Sequence, residues 1–96
     1  MMVSETTVPE LSVVVPVKDE AENLAPLIDE ICTSLNGTNV GFEIVYVDDG
    51  STDGTPALLA DLMAARPELR AIRHRECRGQ SAAIATGVAA ARADLI

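Results

Sequence analysis

Apolar positions along the chain follow two rhythms. Residues 11 to 17, LSVVVPV, are apolar almost throughout and rich in β-branched side chains, the mark of a short strand covered on both faces. Residues 42 to 47, FEIVYV, repeat that signature, and 69 to 74, LRAIRH, alternate apolar with basic residues as an edge strand with one wet face would. Between them the period changes. Leu24, Leu27, Ile28, Ile31 and Leu35 recur at helical spacing over 21 to 35, with Pro26 expected in the first turn and Gly37 as the stop. Thr55-Pro56 predicts the opening of a second helix, a capping hydroxyl before a proline at the first helical position. That helix carries Leu58, Leu59, Leu62 and Met63 and ends near Arg66-Pro67. A third runs from Gln80 to about Arg92. Its face of Ala83, Gly87 and Ala91, with Ile84 and Val88 beside it, suits close approach to a sheet, although Gly87 costs about 1 kcal/mol of helix propensity.

Strands alternating with helices of this length require right-handed crossovers, so the expectation is α/β: a doubly wound parallel sheet in Rossmann-like βαβαβα order. Residues 1–10 read as a disordered or extended N-terminus, and 11–96 as one domain. Asp94-Leu95-Ile96 begins an apolar segment without a turn or polar tail, which reads as truncation at a fourth strand. The sheet order expected is 3-2-1, with the place beside strand one kept for strand four. An exposed apolar edge on strand one would favour self-association.

Composition narrows the picture. The 96 residues are 48% hydrophobic and 23% charged, with a net charge of −8. The imbalance is uneven: residues 1 to 65 carry one base and twelve acids, while 66 to 96 carry six arginines and three acids. So acidic a chain lacks the Lys/Arg surface that nucleic-acid backbones need, and no nucleic-acid partner is expected. Cys32 and Cys77 belong to no Cys/His cluster, so zinc and a disulfide framework are not called for. No apolar run approaches the roughly 20 residues needed to span a bilayer, and MMVSETTVPE lacks the features of a signal peptide. A cytoplasmic location follows as an expectation.

In sheets of this kind ligands sit beyond the carboxyl ends of the strands. Three segments should meet there: Pro16 to Glu20, Asp48 to Asp53, and His74 to Ser81. Two adjacent carboxylates, Asp48 and Asp49, end strand two, where like charges repel unless something uses them. Familiar phosphate and metal motifs do not match: there is no G-x-G-x-x-G after strand one, no P-loop, and the calcium-loop pattern starting at Asp49 fails at Ala60.

LSVVVPVKDEAEN, FEIVYVDDGSTDGT and RGQSAAIATGVAAARADLI, in this order, resemble the inverting GT-A glycosyltransferases of family 2. The likeness is to the branch of dolichol-phosphate mannosyltransferase and bacterial polyprenyl-phosphate glycosyltransferases. It implies the nucleotide-binding half of an enzyme that moves a sugar from a nucleoside-diphosphate sugar to an acceptor such as a polyprenyl phosphate. The parent would be a glycosyltransferase, inactive as this fragment and working at the cytoplasmic membrane face. By the same resemblance Pro16 and Val17 form a backbone wall against the nucleobase, and Glu20 contacts the nucleotide. Asp49 accepts a hydrogen bond from a base edge, Asp48 supports its loop, and Arg78 faces the phosphates. A divalent metal, magnesium or manganese, would be held by ligands beyond Ile96, as would the catalytic base, so no catalytic residue is assigned. Where many members have an aromatic residue before Asn-Glu, this chain has Lys18-Asp19-Glu20, which removes a stacking surface and offers a cation to phosphate. A non-catalytic nucleotide-binding module or a small α/β interaction module is the alternative. His74 reads as a solvated strand-end histidine and Cys77 as an incidental thiol. Arg66, Arg70, Arg73, Arg75 and Arg92 read as a solvated face, and Asp53, Gly54 and Thr55 as loop-shaping residues.

Overall fold

A computed structural model describes residues 8–96. The expectation of a disordered or extended N-terminus falls mostly outside the described residues; within them, Glu10 and Leu11 both donate their N–H to the Gly41 carbonyl. Six elements follow in alternation: β1 (Leu11–Val17), α1 (Ala21–Asn36), β2 (Phe42–Asp49), α2 (Thr55–Ala65), β3 (Leu69–His74) and α3 (Gln80–Ala90). The three strands form one parallel sheet in the order β1-β2-β3. Beside β1, Leu95 bridges Leu11 in parallel and its carbonyl accepts the Ser12 N–H at 2.9 Å, in the place expected for a fourth strand.

Because side chains alternate across a strand, β2 feeds two cores. Ile44 and Tyr46 pack with Leu24, Ile28, Cys32 and Leu59 from α1 and α2 on one face. Val45 and Val47 pack with Ala83 of α3 on the other. Burial pushes the Tyr46 hydroxyl up to about 12 and the Cys32 thiol above its ordinary value. Gly87 explains how α3 lies so close. A Cβ there would come within 2.4 Å of Val14 Cγ1 and 3.1 Å of Val47 Cγ2. Ile84 and Val88, expected beside that face, are instead exposed, because the buried line of α3 is one residue wide at Ala83 and Gly87.

Four local expectations are corrected. Pro26 lies in the second turn of α1, where the proline cannot donate to the Glu22 carbonyl, yet the helix continues for ten further residues. Thr55 is the first helical residue of α2, and the group that caps it is the Asp53 carboxylate, which accepts the Thr55 N–H at 2.8 Å. β2 does not stop at Val47: it carries on through Asp48 and Asp49, which pair with Arg73 and His74. Arg70 and Arg92 are not merely solvated. Both close on Glu43, the second residue of β2, which is 1% exposed.

Candidate functional site

Extension of β2 settles how two adjacent carboxylates coexist: alternation turns them to opposite faces. Asp48 faces α2. There it accepts the Ser51 N–H at 3.0 Å, and its other oxygen stands 3.8 Å from Arg73 Nε. Asp49 faces α3 and is 4% exposed. Its Oδ1 receives the Arg78 N–H at 2.8 Å and lies 2.9 Å from His74 Nδ1, while Oδ2 receives the Gly79 N–H at 2.9 Å and the Cys77 thiol at 3.3 Å. The Arg78 N–H and the His74 ring, with the thiol and the Gly79 N–H, hold the Asp49 carboxyl well below the usual carboxylate range, against the opposing effect of burial.

Two loops from different strands are clasped to this end of the sheet. Asp19, at a positive φ of 52°, accepts the N–H groups of Thr52 and Asp53 at 2.8 and 3.2 Å, and its own N–H donates to Ser51 Oγ at 2.8 Å. Gly50 is required where it stands. Its φ is 75°, and a Cβ would meet the Cys77 nitrogen at 2.6 Å, so only a glycine lets the 50 and 77 segments touch.

Between the 16–20 segment and the 77–80 turn lies a cavity of about 300 Å³ lined by Pro16, Val17, Lys18, Glu20, Asp49, Cys77, Gly79 and Gln80. Five of the seven residues singled out from the sequence, Pro16, Val17, Lys18, Glu20 and Asp49, are therefore brought together on it. Asp48 is not; it borders a separate, mostly apolar cavity of about 130 Å³ beneath α2. Arg78 touches the site through its backbone N–H on Asp49. Among the described residues Lys18 is the one cation in the lining, its Nζ 3.4 Å from Asp19 Oδ2.

Sequence reasoning missed three participants. His74 is 9% exposed rather than solvated, spanning Asp49 and Thr86 Oγ1, and Cys77 borders the cavity rather than standing apart. Asp19 was passed over for its neighbours. Its signal is the short acidic turn Asp19-Glu20, which meets an Asp/Ser-rich loop. Among the described residues no group of three or more His, Cys, Asp or Glu side chains is arranged to hold a metal ion. The donors already surrounding both Asp49 oxygens fit a carboxylate hydrogen-bonded to protein, not a metal ligand. No helix among them is long and apolar enough to cross a membrane.

Fold and site together define a doubly wound α/β unit whose cavity opens at the carboxyl ends of its strands. The match to the family model "Glycosyl transferase family 2" runs over residues 12–96, and the chain belongs to that family. It is 31% identical over 94 residues to undecaprenyl-phosphate 4-deoxy-4-formamido-L-arabinose transferase of Aeromonas hydrophila, covering 97% of this chain and 29% of that protein. To dolichol-phosphate mannosyltransferase of Pyrococcus furiosus it is 36% identical over 85 residues, covering 88% of this chain and 23% of that one. A solved mannosyltransferase from Pyrobaculum calidifontis, in complex with GDP-Man and Mn2+, superposes with a TM-score of 0.66 at 32% identity, over 90% of this chain and 25% of that one. The fold is thus that of the GT-A glycosyltransferases. The chain spans about a quarter of the length of these relatives.

Proposed function

We infer that these residues form the nucleotide-binding part of a glycosyltransferase that takes its sugar from a nucleoside-diphosphate sugar and passes it, with inversion, to a polyprenyl phosphate. The observation that carries this reading is the 300 Å³ cavity at the carboxyl ends of β1 and β2, lined by five of the seven residues that the family resemblance singles out. Pro16 and Val17 offer an apolar wall for a base, Asp49 an ionised carboxylate whose Oδ2 would take a base N–H in place of the weak Cys77 thiol, and Lys18 a cation for the diphosphate. Family membership and the GDP-Man complex of the superposed mannosyltransferase support the donor class, and the two curated relatives' names support a polyprenyl or dolichyl phosphate acceptor. A divalent metal in the longer protein would neutralise the leaving diphosphate, with ligands from outside the described residues. By the family resemblance, acceptor site and general base would come from segments that the longer relatives have and these residues do not match, so transfer itself is expected of a protein of the relatives' length.

Calorimetric titration with GDP and with UDP tests the reading. One of the two should bind, and Asp49→Ala should weaken that binding about tenfold or more, as expected for loss of a charged acceptor. Asp61→Asn, on the exposed side of α2, should leave it unchanged. Absence of binding by either nucleotide would remove the reading.

A further inference from the structure

His74 ends β3 directly opposite Asp49 of β2 in the parallel register. Its imidazole bridges two elements: Nδ1 is 2.9 Å from Asp49 Oδ1, and Nε2 is 2.8 Å from Thr86 Oγ1 on α3. An ionised carboxylate has no proton to give, so the hydrogen between ring and carboxylate resides on Nδ1. Thr86 holds the opposite edge of the ring, and the imidazole cannot turn without surrendering both bonds. Asp49, so oriented, gathers the N–H groups of Arg78 and Gly79, and Gly79 and Gln80 form one wall of the cavity. The ring itself is not part of the lining. A continuous path of hydrogen bonds therefore runs from α3 through the imidazole and the carboxylate to the cavity wall.

We propose that His74, steadied by Thr86, is the positioning residue that sets the Asp49 carboxylate and the 77–79 turn for a nucleoside diphosphate. The role rests on the nucleotide-binding reading above, but its geometric half can be measured without any ligand. It makes a demand on chemistry rather than bulk. A donor must stand where Nδ1 stands; a ring of equal size without one does not serve.

Three variants separate these possibilities: His74→Asn, which keeps an N–H near the Nδ1 position, His74→Phe, which keeps the ring and loses the donor, and Thr86→Val, which frees the imidazole. Hydrogen exchange of the Arg78 and Gly79 amides, the imidazole nitrogen spectrum and calorimetry with GDP and UDP are the readouts, with melting temperature recorded for each. In the unmodified chain the ring should carry its proton on Nδ1. His74→Phe should speed exchange of both amides and weaken nucleotide binding, each about tenfold. His74→Asn should restore most of both, and Thr86→Val should fall between. Should His74→Phe fail to fold, Thr86→Val and His74→Asn still carry the comparison through the same readouts. Unchanged exchange and affinity in His74→Phe, a ring with bare Nδ1, or an Asn variant as impaired as the Phe variant would overturn the proposal. If neither nucleotide binds the unmodified chain while amide exchange still follows the donor, the nucleotide reading falls and the hold of His74 on Asp49 and its turn stands. Binding that is equal in all variants keeps the nucleotide reading and removes His74 from it.

Discussion

Glu43 and Asp49 sit at opposite ends of one strand, about 20 Å apart, on the same face of the sheet. Both are nearly inaccessible, and both draw in backbone N–H groups from a segment far along the chain: Arg92 at one end, Arg78 and Gly79 at the other. Their surroundings differ in kind. Glu43 is enclosed by Ser12, Arg70 and Arg92, so its charge is matched by guanidiniums. Asp49 has no arginine side chain on it; its donors are main-chain N–H groups, a histidine and a thiol, on the wall of a cavity. A closed ion-paired carboxylate holds a fold together. One whose charge is balanced by dipoles at an open cavity is the carboxylate that the proposed function assigns to the ligand.

The comparison breaks first at Glu43. Glu43→Ala should cost about 2–3 kcal/mol in urea denaturation, because the Ser12 hydroxyl and the Arg92 N–H lose a buried charged acceptor and the Arg92 segment loses its anchor beside β1, while the partly exposed Arg70 and Arg92 side chains turn to water. A loss below about 1 kcal/mol would mean that the amino end of β2 is no more than a solvated ion cluster.

Gly50→Ala acts at the other end. It meets both a positive φ and a backbone contact of 2.6 Å, so the 50 and 77 segments must separate. Destabilisation of about 2 kcal/mol is expected from the left-handed backbone, together with loss of nucleotide affinity in the titrations above. Intact affinity would show that the apposition does not shape the site.

Much of this was legible beforehand. The three strands, three helices and parallel order follow from the periodicities of LSVVVPV, FEIVYV and LRAIRH, since apolar patterning reports local structure and its burial together. Glu43 was not legible. Inside an apolar run it looks like an isolated interruption, and its partners lie 27 and 49 positions away. His74 was misread for a related reason: its second partner, Thr86, is brought near only once α3 packs on the sheet. The placement of Asp48 and Asp49 on opposite faces needed the strand's true end, which Asp and Gly-rich composition disguised as a loop.

A smaller effect comes from Gly87→Ala. Better helix propensity favours the alanine, but Val14 and Val47 leave no room, and a net loss of about 1–2 kcal/mol in thermal denaturation is expected. A gain in stability would show that α3 rides higher on the sheet. Acid probes the Glu43 end as well. Burial opposes the Glu43 charge, yet the Arg92 N–H, the Ser12 hydroxyl and the two guanidiniums outweigh it and lower the carboxyl from 4.5 to about 2. A carboxyl that is more acidic when folded adds stability fully above about pH 4.5, and that contribution is lost as pH falls toward 2. Denaturation followed across that window should show the loss in the unmodified chain and a weaker pH dependence in Glu43→Gln. The smallest change is expected at the exposed Arg66–Asp29 pair, where Asp29→Asn should alter stability by less than about 1 kcal/mol.

The difference between the two ends of β2 is tested most directly by titrating the chain with the nucleoside diphosphate that binds while following every backbone amide. Shifts should concentrate at 16–20, 49–51 and 77–80, with Glu43, Arg92 and Ala93 still. Equal shifts at both ends, or shifts confined to the Glu43 end, would contradict the assignment of ligand binding to Asp49 and of structural anchoring to Glu43.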